Sequence, residues 1–446
     1  MKKYLQGFPV WLGLIIVIDL AFSFYQFYLA PFDGDFPGGV LPAKDVLPLF
    51  SDPFGFSMLK SGSLHANPNR FFSHGLFYLY FNHVPHFFQL FFEPVTSLFV
   101  AAATAKFLTH LGFLIVLPNL ALHILPSCKK WIALLVVMVL LQQYGFGRYI
   151  SLVDKSISYL FFYGVPLMFT SFFMLFWLRR DRANIGQHIV LAICVIPLLF
   201  SGPLIAPILS IYFFLSIVRN IILGQNSSTT FWFGVGVVLV SLYSLYLGSL
   251  SAVYFPDILP ISERYKVLPV GMWNMISQRP WFVFFVLEFV LLFFLTKRGT
   301  VNWKFMGWFA LGFAVFIVLL PLGGYRPYRH NILRFDTFAP IYLCLVIGMV
   351  ILQYKLFTAI SQKNRKLALI HLILFLFIFQ NGDRLPNPTN IGEKLELENI
   401  RNSKCSVCPI RPVIFTWSNA KKENLEMDAE VLKRMGIVED EIVLVY

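Results

Sequence analysis

The chain has 446 residues, of which 57% are hydrophobic, 13% are charged and 50 are phenylalanine, and its mean hydropathy is +0.70. This composition excludes a soluble globular enzyme and reads as a polytopic membrane protein. The formal net charge of +13 does not call for nucleic acid, because Lys and Arg beside apolar runs mark the cytoplasmic ends of membrane crossings.

Met1, Lys2 and Lys3 precede an apolar run over about 8–30. The run is too long for a signal peptide and lacks a small-residue cleavage site, so it predicts a retained first helix with the N-terminus inside. It ends at Pro31-Phe32-Asp33-Gly34-Asp35-Phe36-Pro37-Gly38-Gly39. Two carboxylates one residue apart, in a Gly and Pro turn at a membrane exit, are costly near lipid and need a partner. The outer loop 31–92 is too long for a plain connection. Its second half is aromatic but broken by His74, Asn82, His83, Pro85 and His86, which predicts short helices lying in the membrane interface.

The run 94–126 would reach about 48 Å as a straight helix, against a bilayer core of about 30 Å. Lys129 and Lys130 after it require an odd number of crossings, and the reading is one crossing broken near Gly112 or Pro118. Further crossings are read at 131–144, 157–178, 187–200, 204–217, 231–254, 281–295, 303–322, 337–354 and 367–379, about eleven in all, with the C-terminus outside. Arg179, Arg180 and Arg182, Arg219, Lys297 and Arg298, and Lys363 to Lys366 then all fall inside. The inner loops are short and basic, with no Gly-rich phosphate loop, which argues against a nucleotide-driven pump.

The tail 381–446 turns polar, with a helix expected at about 423–435 and strands at 413–416 and 442–445. It reads as a small extracytoplasmic α+β cap on a transmembrane domain of residues 1–380. So short a unit buries only a modest core, so it leans on the membrane domain or on a Cys405–Cys408 disulfide. Zinc is the weaker use of that pair, because a second ligand pair is lacking.

Five groups can carry chemistry. Asp33 and Asp35 can take a proton from an acceptor or hold a divalent cation such as Mg or Mn, and are equally ordinary turn chemistry. Arg326, Arg329, His330 and Arg334 crowd an outer loop where the positive-inside rule does not place arginine; their forks suit a phosphate, or lipid headgroups, or Asp336. Glu263, Arg264 and Lys266 sit in a charged outer loop as substrate contacts or as wet surface. His65, His74, His83 and His86 read as interfacial packing rather than metal ligands. Asp19, Lys106, His110 and Glu288 lie inside apolar runs, as a proton path or as structural ion pairs.

An acidic turn directly after the first helix, a long first outer loop with interfacial helices, and a late outer loop running Arg334-Phe335-Asp336-Thr337-Phe338-Ala339-Pro340 into a helix resemble the C-fold membrane glycosyltransferases. That class includes protein O-mannosyltransferases and lipid A aminoarabinose transferases. The resemblance implies that Asp33 or Asp35 is the catalytic carboxylate, as base or metal ligand. It also implies that Arg326, Arg329 or Arg334 holds the departing phosphate of a polyprenyl-phosphate-linked sugar. The expected function is transfer of that sugar to an acceptor on the outer face. Two other classes stay open: a transporter or flippase of a lipid-linked or anionic solute, and a non-catalytic membrane assembly subunit that binds a partner through its tail.

Overall fold

The computed structural model describes residues 10–445, apart from 143–151, 181–184, 225–227, 255–258, 278–279, 296–302, 323–332, 334, 381–383, 387–388, 412–413, 415–416 and 418–423. In chain order the helices are α1 (Val10–Tyr28), α2 (Phe36–Val40), α3 (Pro48–Ser51), α4 (Phe56–Ser61), α5 (Phe71–Phe88), α6 (Pro94–Ile124), α7 (Lys130–Leu141), α8 (Ile157–Leu178, with a π-helical turn at Leu160–Gly164) and α9 (Ile185–Leu199). They continue as α10 (Ile205–Ile222), α11 (Ser228–Tyr254), α12 (Ile261–Ser277), α13 (Pro280–Leu295), α14 (Trp303–Leu319), α15 (Phe335–Lys363), α16 (Arg365–Gln380), α17 (Ile391–Ser403) and α18 (Leu425–Arg434). The chain is an all-α membrane protein. Six of these helices, α1, α6, α8, α10, α11 and α15, contain a stretch long and apolar enough to cross a bilayer. In lipid every backbone N–H and C=O must be paired inside the segment, so apolar runs of this length fold as helices whatever their neighbours are.

The bundle is built around α6, which packs against α1, α5, α7, α8 and α15. Ala101, Ala102, Ala103 and Ala105 are buried along it, and such small residues let neighbouring helices approach closely. Its 31 residues are one unbroken helix through both Gly112 and Pro118, so the expected break is absent. Pro118 removes a single backbone bond, which the turns around it outweigh. Gly112 serves packing instead: a Cβ there would lie 2.1 Å from Sδ of Met168 on α8.

The first outer loop folds back on the bundle. Residues 71–88 form one helix of 18 residues, not several short ones, because Pro85 falls in the last turn, where one lost bond costs little. Part of the aromatic character expected to face the interface is core. Phe77 and Phe81 are fully buried, and their rings pack against Phe36 of α2 and Phe161 of α8. Leu76, Leu79 and Phe87 are exposed. The α2–α5 contact depends on Gly39, where a Cβ would fall 2.1 Å from Cε1 of Phe77. Gly39→Ala is therefore expected to destabilise the protein by about 1–3 kcal/mol through overpacking, read as a lower midpoint of thermal unfolding in detergent.

Residues 261–277, expected as a charged loop, form a helix that carries Pro269 inside it. The tail holds its expected helix as α18 and a two-stranded parallel sheet of β1 (Val407–Pro409) and β2 (Val443–Val445), in register Val407 to Val443 and Pro409 to Val445. The strand expected at 413–416 does not appear in what is described of it, where Ile414 lies in a turn. The partner of the final strand is the segment at the Cys405–Cys408 disulfide, which is formed. The tail docks at the C-terminal end of α1. Asn390 donates to the carbonyl oxygens of Leu29 (2.9 Å) and Tyr28 (2.6 Å), Gln26 donates to the Arg384 carbonyl at 2.8 Å, and Arg401 pairs with Glu93. Val10 is at the other end of the 19-residue α1.

Inside the tail, Asp428 is fully buried and neither carboxylate oxygen has a hydrogen-bond partner among the described residues. Burial pushes its pKa up to about 7, from an unfolded value of about 3.9. The folded state thus favours the protonated form, so the tail is most stable below pH 4 as far as this group is concerned and loses stability as pH rises toward 7. Asp428→Asn is expected to flatten that dependence, measured by limited proteolysis of the tail across pH 4–8.

Candidate functional site

Asp33 sits in the turn that leaves α1. Its Oδ1 accepts from the backbone N–H of Asp35 at 3.1 Å, the local bond that makes Asp a turn residue. Its Oδ2 accepts from Ser156 Oγ (2.9 Å) and from the backbone N–H of Ser158 (3.2 Å). Ser156 is the N-cap of α8, where its side chain accepts from Tyr159 N. The carboxylate thus lies at the positive N-terminal end of a crossing helix, on one of the N–H groups that have no partner within the helix.

A second carboxylate, Asp154, reaches the same helix end through the N–H of Ser156, at 2.8 Å. Burial pushes its pKa up to about 6, while the Ser156 N–H and the Lys106 ammonium pull the other way and the charges of Asp33 and Asp336 add to the rise. Lys106 comes from α6. It is 1% exposed and donates to the Lys155 carbonyl at 2.5 Å. Its ammonium is acted on by Asp154, Asp33 and Glu393.

Glu393 of α17 closes the group from the tail side. Its Oε2 accepts from the N–H of Phe32 (3.1 Å) and its Oε1 from Trp417 Nε1 (2.7 Å). Trp417 is fully buried, with its ring centroid 5.0 Å from that of Phe36 and 5.8 Å from that of Phe32. The turn bearing Asp33 is therefore clamped between the N-terminus of α8 and the tail. This arrangement can hold a carboxylate in one orientation beside a buried cation, which suits proton exchange with a bound group.

The structure brings Asp33, Asp154 and Lys106 to the N-terminal end of α8, with Glu393 on the neighbouring Phe32 N–H and the charge of Asp336 felt at Asp154. Asp35 is exposed and contributes its backbone N–H to the turn. Arg326, Arg329, His330 and Arg334 lie outside the described residues. Glu263 and Lys266 form an exposed pair at 2.6 Å, an interaction worth about 0–1 kcal/mol. Arg264 is buried and donates to the carbonyls of Leu259 (2.6 Å) and Pro321 (3.0 Å). Among the described residues no three His, Cys, Asp or Glu side chains converge closely enough to hold a metal ion.

Of the outer-loop histidines, His65, His74 and His86 are packed or bonded locally and His83 is exposed. His74 lies against Phe162, ring centroids 4.7 Å apart, and burial, with the nearby Arg70 charge, lowers its pKa to about 3, which keeps it neutral. His86 pairs with Gln89, 3.1 Å apart, and Gln89 donates to the Met435 carbonyl of the tail at 2.7 Å. The ionisable residues inside the bundle divide. His110 lies 3.9 Å from Asp19, which accepts from Gln142 at 3.3 Å. Glu288 of α13 is bonded by Gln353 of α15 and lies 3.7 Å from His371 of α16. Lys106, one turn from His110, belongs with Asp33.

Asp154 and Glu393 escaped the sequence reading, Asp336 entered it as a partner for the arginine loop, and Lys106 was grouped with the intramembrane charges. The available signal for Asp154 was local: an Asp two residues before the Ser that opens an apolar helix is capping chemistry, and it places a carboxylate at a helix N-terminus. Nothing local marks Glu393, whose partner Phe32 is 361 residues away. Comparison of the chain with family models, with curated proteins and with solved structures finds no match.

Proposed function

We propose that the chain is an integral-membrane glycosyltransferase that moves a sugar from a polyprenyl-phosphate donor to an acceptor at the outer face. The observation that carries this reading is the grouping of Asp33 with Asp154, Lys106 and Asp336 at one end of the bundle. Asp336 follows Arg334 by two residues, which ties the arginine loop to the carboxylates through the chain. In the reaction the acceptor O–H gives its proton to Asp33 as its oxygen bonds to the anomeric carbon. The bond from that carbon to the phosphate oxygen breaks, and the electron pair leaves with the polyprenyl phosphate. Arg334, with Arg326, Arg329 and His330, takes up the charge growing there. A divalent cation, Mg or Mn, is an optional part: transfer that survives a chelator assigns the chemistry to the side chains alone.

The same reading has about eleven crossings, the N-terminus cytoplasmic and the tail as an extracytoplasmic cap. Two observations support it. The tail docks at the opposite end of α1 from Val10, which suits an odd number of crossings. Lys130, Arg179, Arg180, Arg219, Lys363 and Arg365 stand at the helix ends away from Asp33, as the positive-inside rule requires.

The test is sugar transfer in membranes supplied with polyprenyl-phosphate-linked sugars. Protonation of Asp154 below pH 6 leaves Lys106 to neutralise Asp33, so transfer is expected to fall as pH drops through about 6. Asp154→Asn should lower the rate and abolish that limb. No transfer from any such donor by the wild-type chain overturns the proposal. If neutralising Asp19 and Glu288 stops solute movement while the Asp33 variant is unaffected, the chain is a transporter.

A further inference from the structure

A cavity of about 220 Å³ lies between α8, α10 and α11, lined by Arg180, Arg219, Tyr212, Ser216, Asn220 and Thr230 together with apolar side chains. It is remote from the Asp33 group. Ser158, bonded to Asp33, begins α8, and Arg180 follows the end of that helix 22 residues on, about 33 Å away at 1.5 Å per residue.

Arg180 is held in a defined pose. Its guanidinium carbon is 3.0 Å from the centroid of the Trp177 ring; one nitrogen donates to the Trp177 carbonyl and another to Thr230 Oγ1 at 3.4 Å. Trp177 is itself buried and stacked on Phe233, with centroids 4.6 Å apart, so the platform is rigid. Tyr212 hydrogen-bonds the side chains of Trp177 and Ser216, which fixes a second polar wall.

Arginines at a cytoplasmic helix end commonly reach out to water and headgroups. Arg179 does so, exposed and bonded to Asn119 at 3.1 Å. Its neighbour Arg180 instead lines the cavity, where burial lowers its pKa to about 10. No carboxylate is present among the described lining residues. A half-buried guanidinium is costly unless an anion joins it, and Arg219 lines the same cavity.

We propose that this cavity binds a phosphate group, with the headgroup of an anionic membrane lipid as the source at hand. The volume is below the roughly 300–1,000 Å³ of pockets that enclose a whole drug-sized ligand, so it takes a headgroup and leaves chains outside. Ile221, Ile222 and Trp232, which adjoin the lining residues in sequence, are exposed apolar side chains against which chains can lie. The two arginines supply planar, bidentate donors for phosphate oxygens, and Ser216, Asn220 and Thr230 supply neutral ones.

Native mass spectrometry of the full chain in detergent tests this without any assay of sugar transfer. The chain is expected to retain one phosphatidic acid in preference to phosphatidylcholine. Arg180→Gln and Arg219→Gln should each weaken retention roughly tenfold or more, the scale of one charged hydrogen bond. Arg180→Lys should fall between, because an ammonium keeps the charge but not the fork. Arg219 is exposed, so its variant keeps the fold, checked by monodisperse elution. If millimolar inorganic phosphate displaces the lipid and raises the melting temperature of the wild type but not of Arg219→Gln, the phosphate comes from a soluble compound. Equal retention of both lipids with no effect of phosphate, or unchanged retention in both glutamine variants, overturns the proposal.

Discussion

Asp33→Asn is expected to reduce sugar transfer by about 10²- to 10⁴-fold, the range supplied by a positioned general base. The amide is nearly the same size, but its NH₂ cannot accept. If it replaces Oδ2 it meets two donors, the Ser156 hydroxyl and the Ser158 N–H; if it replaces Oδ1 it meets the Asp35 N–H. The hydroxyl can turn to accept, whereas the backbone donors cannot, so a modest loss of stability accompanies the loss of rate. Separating the two effects takes one further measurement, the elution profile and thermal midpoint of the purified variant. Asp35→Asn is the internal contrast: Asp35 is exposed and joins the turn through its backbone N–H, which the substitution keeps, so its replacement should cost far less. Equal rates in Asp33→Asn and the wild type would remove Asp33 from the chemistry.

The second large effect is expected at Trp417. Truncation to Ala empties a fully buried site, removes ring contacts with Phe32 and Phe36, and leaves Oε1 of Glu393 without the indole N–H that it accepts at 2.7 Å. Loss of a buried Trp costs about 3–5 kcal/mol, and a carboxylate stripped of a partner adds to this. The destabilisation should be local first. Residues 391–445 should become protease-sensitive at a temperature where the bundle is intact, and transfer should fall with tail docking because Glu393 also holds the Phe32 N–H beside Asp33. Trp417→Phe, which keeps the ring but not the N–H, should lie between. A Trp417→Ala protein whose tail resists protease as well as the wild type would show that the other tail contacts are sufficient.

Much of the helical architecture was legible because it is decided locally. Every one of the apolar runs read as a crossing has a helix as its central part, since neither lipid nor a bundle interior offers another partner for the backbone. The failures share a cause. Gly112 and Pro118 were read as breaks from their intrinsic tendencies, yet the close approach of Met168 and the surrounding turns keep α6 whole. The polarity of Glu263, Arg264 and Lys266 suggested a loop, yet Arg264 is bonded to the carbonyls of Leu259 and Pro321 and the segment winds into α12.

By itself the sequence determined the class of the chain, the position of its apolar helices and the fact that Asp33 stands where the first helix ends. Each of these follows from hydrophobicity or from neighbours a few residues apart. Only the tertiary structure decided what Asp33 meets: Ser156 and Ser158 from another helix end, the buried Lys106 of α6, and a turn held from behind by Glu393 and Trp417 of the tail. Those partners lie more than seventy residues from Asp33 in the chain. They come together because a charged group brought near lipid is stable only where the packing of several helices supplies its counter-charge and donors, a condition that no local pattern encodes.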